Sequence, residues 1–190
     1  MLIRAAALAV LVFGLCACNQ GQSQGEADNG GSAQLDAPAP ETEASRVFAA
    51  ANDAATSTTG ELTVAMTLRL PDAGQANADA QEIITLTGAN GAAVEAQTVS
   101  AISPATQVEG QTLRALLAIP VEEPQVIVYR VTSETKHNGQ GICGGEAASH
   151  MVVWEPAGPG EPVMKVLGVI GGAPGSSGAR ACPLLEYRRG

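Results

Sequence analysis

Aromatic side chains are nearly missing from this chain: one Trp, two Tyr and two Phe in 190 residues. Sugar-binding sites are built on flat stacking platforms, so this shortage disfavours a carbohydrate module. Basic residues are also few, ten against 19 acidic, for a formal charge of −9. After Arg4 they stand singly along the chain except for Arg188-Arg189. Nucleic-acid binding needs several cations in one stripe to displace phosphate counterions, so that class is excluded. No apolar run approaches the ~20 residues that a helix needs to cross a bilayer. The longest, Ala5 to Leu15, is about half that length. Cysteine is confined to Cys16, Cys18, Cys143 and Cys182.

The N-terminus has its own grammar. Met1-Leu2-Ile3-Arg4 is short and positive, and the uncharged stretch AAALAVLVFGL follows it. A basic start, roughly 7–15 apolar residues and small residues at the cut make up an export signal. A buried core helix is the rival, but the stretch has no polar face and the chain turns polar directly after it.

Leu15-Cys16-Ala17-Cys18 resembles the lipobox of bacterial lipoproteins: an aliphatic residue, two small ones, then the cysteine that receives lipid. Cys16 stands where Ala, Ser or Thr is more usual. The resemblance implies that residues 1–17 leave as a signal peptide and that Cys18 becomes the lipidated N-terminus. Cys16 as acceptor would put the bulky Leu15 at the cut and strand Cys18 as an odd thiol. Two incidental small residues before an ordinary cut is the bland alternative. The resemblance further implies a cell-envelope location on the periplasmic face. Asn19 in place of Asp after the acceptor favours the outer membrane over the inner. One acyl chain holds a protein only marginally, at about 0.8 kcal/mol per methylene, and the several chains of such lipoproteins imply stable anchoring.

Residues 18–45 read as a disordered acidic tether. Gly, Ser, Ala, Gln and Pro dominate, Leu35 is the one large apolar side chain, and five carboxylates meet no basic residue. Such composition cannot bury enough surface to offset the entropy of ordering. As a flexible coil it spans roughly 30 Å.

Residues 46–190 have the size of a single domain. Period-2 patterns dominate, and they predict an all-β fold: a small antiparallel barrel or sandwich of about seven strands. Leu62, Val64, Met66, Leu68 and Leu70 alternate with more polar residues and predict a strand, ended by a turn at Pro71–Gly74. Asn90-Gly91 lies between two extended stretches and predicts a type I′ hairpin. QVIVYRVTSET is β-branched on both faces and predicts a central strand. HMVVWE, VMKVLGVI and CPLLEYR continue the series, whereas QTLRALLAIP fits either a strand or one helical turn. Residues 42–56 have helical spacing at Val47, Phe48, Ala51 and Ala55, and predict a helix or a continuation of the tether.

With Cys16 removed and Cys18 lipidated, Cys143 and Cys182 remain as one pair, which an oxidising compartment favours as a disulfide. Two rivals use the same residues. His137, Cys143, His150 and Cys182 supply a zinc-type ligand set, but without the short paired spacings of zinc modules. A cysteine nucleophile with His137 or His150 as base needs a reduced thiol. Gly139-Gln140-Gly141-Ile142-Cys143-Gly144 matches G-x-G-x-x-G, but too few residues follow for the helix that a dinucleotide site requires. Glu122-Glu123 reads as a solvated turn, since neighbours on a strand face opposite ways and form no acid–base pair. No cofactor or metal site is expected.

The candidate partner contacts are Trp154 and the loop Gly175, Ser176 and Ser177. Trp154 is either core or an interface anchor, and the loop is either simply mobile or a contact surface. By architecture alone the domain is similar to small disulfide-bearing β-barrels of envelope lipoproteins, some of which inhibit lysozymes and others of which carry lipophilic molecules. No functional residue carries over from them. The expectation is a lipid-anchored envelope protein whose domain binds a protein or small ligand without catalysis. The alternatives are an envelope hydrolase or metal-dependent enzyme, and a purely structural envelope component.

Overall fold

A computed structural model describes residues 45–70, 79–156 and 163–189. The expected signal peptide, the tether up to residue 44 and the turn at Pro71–Gly74 lie outside them.

Eight strands close into an antiparallel barrel. In chain order they are β1 (Arg46–Ala50), β2 (Leu62–Arg69), β3 (Gln81–Gly88), β4 (Ala93–Ile102), β7 (Val126–Thr135), β8 (His150–Trp154), β9 (Val163–Ile170) and β10 (Arg180–Arg189). Each pairs with its neighbour in this series, and β1 closes the ring on β10. The connections are therefore a meander, interrupted by one insertion between β4 and β7. That insertion carries the two-residue strands β5 (Gln107–Val108) and β6 (Gln111–Thr112) and the short helix α2 (Leu113–Leu117). The sequence suggested about seven strands; the barrel has eight.

The extra strand is β1, in the segment whose spacing suggested a helix. Val47 points outward and Phe48 is fully buried, which is strand alternation. The strand forms because β2 and β10 would otherwise present open edges, and Arg46–Ala50 supplies ladder partners to both. The helix is confined to α1, Asp53–Thr58. Asn52 starts it: its Oδ1 accepts the Ala55 N–H at 2.9 Å, while its Nδ2 donates to the Leu184 carbonyl at 2.9 Å.

The β3–β4 hairpin is present, but not as a type I′ turn. Asn90 keeps a negative φ; only Gly91 is positive, at 90°. Gly91 N–H donates to the Gly88 carbonyl at 2.9 Å, and Gly88 N–H to the Ala92 carbonyl at 2.8 Å. This is the three-residue loop with glycine in the left-handed position. Asn90 contributes its side chain instead: Nδ2 donates to the Thr58 carbonyl and Oδ1 accepts the Ala92 N–H.

Two apolar clusters follow from strand alternation. Phe48, Leu62, Val64, Ile84, Met151, Val166, Leu185 and Tyr187 are among those filling the barrel. The outward residues of β7 to β9, including Val128, Val152, Leu167 and Val169, are buried too, because the inserted segment lays Val108, Leu113, Leu117 and Ile119 over them. That explains why QVIVYRVTSET and VMKVLGVI are apolar on both faces. Burying each such side chain contributes roughly 1.5–3 kcal/mol before chain entropy is charged against it.

Cys143 and Cys182 form a disulfide across 39 residues. It ties the loop after β7 to β10, where the register slips between Ala181 and Leu184. Pro183 sits in that slip, where it has no ladder bond to withhold. Gly168 on β9 makes room for the crosslink: a Cβ there would lie 2.6 Å from the Cys143 sulfur.

Candidate functional site

The barrel has two different ends. The first is where β1 ends, β3 turns into β4, and β7 and β9 end in their loops. Ile142 reaches into the barrel cluster from the β7–β8 loop, and Ala55 does so from α1. Glu134 fixes that loop: its Oε1 accepts the Ile142 N–H at 2.9 Å and its Oε2 the Ala148 N–H at 3.3 Å. The Tyr187 and Thr59 hydroxyls, both buried, lie 2.8 Å apart. Burial pushes the Tyr187 phenol up to about 12, against the pull of the Thr59 hydrogen bond. The recess between these groups measures about 10 Å³, space for one water. This end is plugged.

The other end is a mouth lined by charge. Arg46 shares the inward parity of Phe48, and Glu155 that of Val153. Arg46 Nη1 lies 2.7 Å from both oxygens of Glu155, so an ion pair joins β1 to the end of β8 past the intervening β9 and β10. Glu82 accepts the Thr98 hydroxyl at 3.0 Å. Below them Tyr129 is buried, its phenol pushed up to about 12 chiefly by burial and then by the Glu82 charge. The Phe48 ring is flanked by two guanidiniums, Arg46 at 5.5 Å and Arg189 at 5.9 Å from its centroid. The chemistry of this set is electrostatic. Both tyrosines hold their protons at neutral pH, and each inward carboxylate already accepts a protein donor.

No protein-family model, curated protein or solved structure matches this chain. What the chain does must therefore be read from its own surfaces.

The residues singled out from sequence are spread over the barrel, not gathered. Trp154, at the mouth end of β8, points outward into the second cluster and is 9% exposed. Lys165 lies 5.8 Å over its ring and donates to the carbonyls of Leu117 and Ala118. Gly175, Ser176 and Ser177 lie in the exposed β9–β10 loop at the plugged end. That loop is braced: Gly175 N–H donates to the Gln107 carbonyl, and Ser176 Oγ to the Ala173 carbonyl at 2.7 Å.

The disulfide takes both sulfurs out of the zinc-type set and out of nucleophilic attack. His137 is exposed beside Asn138, 2.8 Å from its amide. His150 sits 3.2 Å from the Ser149 hydroxyl, which is itself bonded to backbone at Val169 and Gly172. Desolvation first, and then the Arg130 charge, hold His150 below its usual pKa, against a hydrogen bond that its ring donates to the Gly172 backbone. Gly139–Gly144 forms a tight run of isolated bridges leading to antiparallel β8, without the helix a dinucleotide needs. Glu122 and Glu123 lie in a turn, where Glu123 N–H donates to the Pro120 carbonyl.

The mouth was missed from sequence. Its signal is present in retrospect: Arg46, Glu82, Thr98 and Glu155 each sit two places from an apolar residue that points inward.

Proposed function

We propose that this chain is an envelope lipoprotein, anchored through lipid on Cys18, whose barrel recognises a partner without catalysis. The observation that carries the binding mode is the filled interior. Side chains occupy the barrel, and the recess at the plugged end has space for one water. A lipophilic cargo would need a chamber of hundreds of Å³. Recognition therefore belongs to the outside, and a protein fits better than a small ligand. The braced loop Gly175–Ser177 is the surface best suited to it, since a contact loop held in one shape loses little entropy on binding.

The test is site-directed photo-crosslinking in intact cells, with the crosslinker at Ser176 or Ser177 and control positions on the strands. A discrete adduct formed at the loop and not at the controls is expected. No adduct at either loop position, in cells where the protein is abundant and folded, sinks the binding reading and favours a structural or enzymatic role.

A further inference from the structure

Basic residues that stand singly in the sequence are gathered by the closed sheet. β10, β1 and β2 are neighbours, and at the mouth they end in Arg188 and Arg189, in Arg46, and in Arg69. Four of the chain's ten Lys and Arg residues thus share one sector of the rim. Arg188 and Arg189 are exposed and have no carboxylate within salt-bridge distance among the described residues. Arg69 reaches Glu95 only at 4.0 Å, with 63% of its side chain exposed. In a chain of net charge −9 this local excess runs against the average.

The same sector holds unexplained apolar surface. Val47, Leu68 and Leu70 are three of the five large hydrophobics exposed among the described residues, and all lie on β1 or at the end of β2. Leu68 and Leu70 keep the parity of the buried Leu62 and Val64, but they run past the barrel's filled part. Residue 46 is also where the chain from Cys18 enters the fold, so any anchor on that cysteine is joined at this rim and not at the plugged end.

From the coincidence of arginines, exposed leucines and chain entry, we propose that this rim sector docks on an anionic lipid bilayer. Leu68 and Leu70 insert at the headgroup level and Arg69, Arg188 and Arg189 pair with lipid phosphates, while Arg46 stays held by Glu155. Basic side chains near an anionic surface each strengthen binding about fivefold, and exposed apolar side chains add to that. The bilayer's relevance rests on the lipoprotein reading, but the surface can be tested without the lipid. The loop Gly175–Ser177 would then face away from the membrane.

All eight strands lie between Arg46 and Arg189 and close on one another, so a chain starting at Asn19 contains the whole folded unit. Its co-sedimentation with vesicles of phosphatidylcholine, with and without 40% phosphatidylglycerol, is the experiment. Binding is expected on the anionic vesicles only, and it should fall away in 0.5 M salt. Arg188→Gln with Arg189→Gln should weaken it about 25-fold. Leu68→Ser with Leu70→Ser should weaken it several-fold, while Val121→Ser, on the inserted segment, should leave it unchanged. Circular dichroism shows whether each variant is folded. Failure of the folded parent to bind overturns the proposal, as does equal weakening by Val121→Ser. So does binding that appears only after residues 19–44 are removed, which would give the sector to the chain's own acidic segment. Mass analysis of the cellular protein tests the lipid separately.

Discussion

Arg46 and Glu155, 109 positions apart, meet 2.7 Å apart across the barrel mouth. Their strands are not neighbours, so the pair braces the ring across two intervening strands. Both side chains keep about a third or less of their exposure, which limits the gain through solvent screening. A double-mutant cycle with Arg46→Met and Glu155→Gln should give a coupling of about 1 kcal/mol in urea unfolding. Additive effects of the two changes would show that the pair carries no stability.

The crosslink should matter more. Closing 39 residues of chain restricts the unfolded ensemble by about 4 kcal/mol in the chain-entropy account. Cys143→Ser with Cys182→Ser should therefore lower the unfolding midpoint sharply, as should reduction of the parent protein. A midpoint unchanged by both treatments would mean that Ile142 and the Glu134 clamp hold the loop without help.

Gly168 is coupled to that crosslink. Gly168→Ala would set a methyl against the Cys143 sulfur and should destabilise by about 1–3 kcal/mol. In a Cys143→Ala background the penalty should shrink, because the crowding sulfur is gone. An equal penalty in both backgrounds would place the strain in the β9 backbone.

The two tyrosines set the alkaline limit. Both phenols are pushed from 10 to about 12, so the folded state holds protons that the unfolded chain releases. The linked stability is fully present below pH 10 and is lost as pH rises from 10 through 12. Absorbance of tyrosinate near 295 nm should stay flat in the folded protein until close to pH 12. Ionisation near pH 10 with circular dichroism unchanged would contradict the burial of Tyr129 and Tyr187.

How far the sequence could be read depended on how local each cause was. β2 and β7 were legible because their signals are written within each segment, alternation from Leu62 to Leu68 and β-branched residues on both faces from Val126 onward. The disulfide was legible from the count of cysteines left after Cys16 and Cys18. β1 was not, because Arg46–Ala50 is extended only to satisfy β2 and β10, whose partners lie up to 141 positions away, as Phe48 and Arg189 do. The turn at Asn90-Gly91 showed where the chain reverses but not how, since Asn90 uses its amide on Thr58 and leaves the left-handed position to Gly91. The mouth was illegible because Arg46, Glu82, Thr98, Tyr129 and Glu155 come from five strands or strand ends, and no short motif unites them. The basic rim was hidden for the same reason.

The account rests on one proposed event, removal of the first 17 residues with acylation of Cys18, and on the pairing of Cys143 with Cys182. Intact-mass analysis of the protein extracted from cell membranes, with and without reductant, reads both at once. The account predicts a chain that starts at Cys18, carries the mass of its acyl chains, and gains two hydrogens on reduction. A full-length chain that starts at Met1, recovered from the soluble fraction with every thiol free, would contradict it.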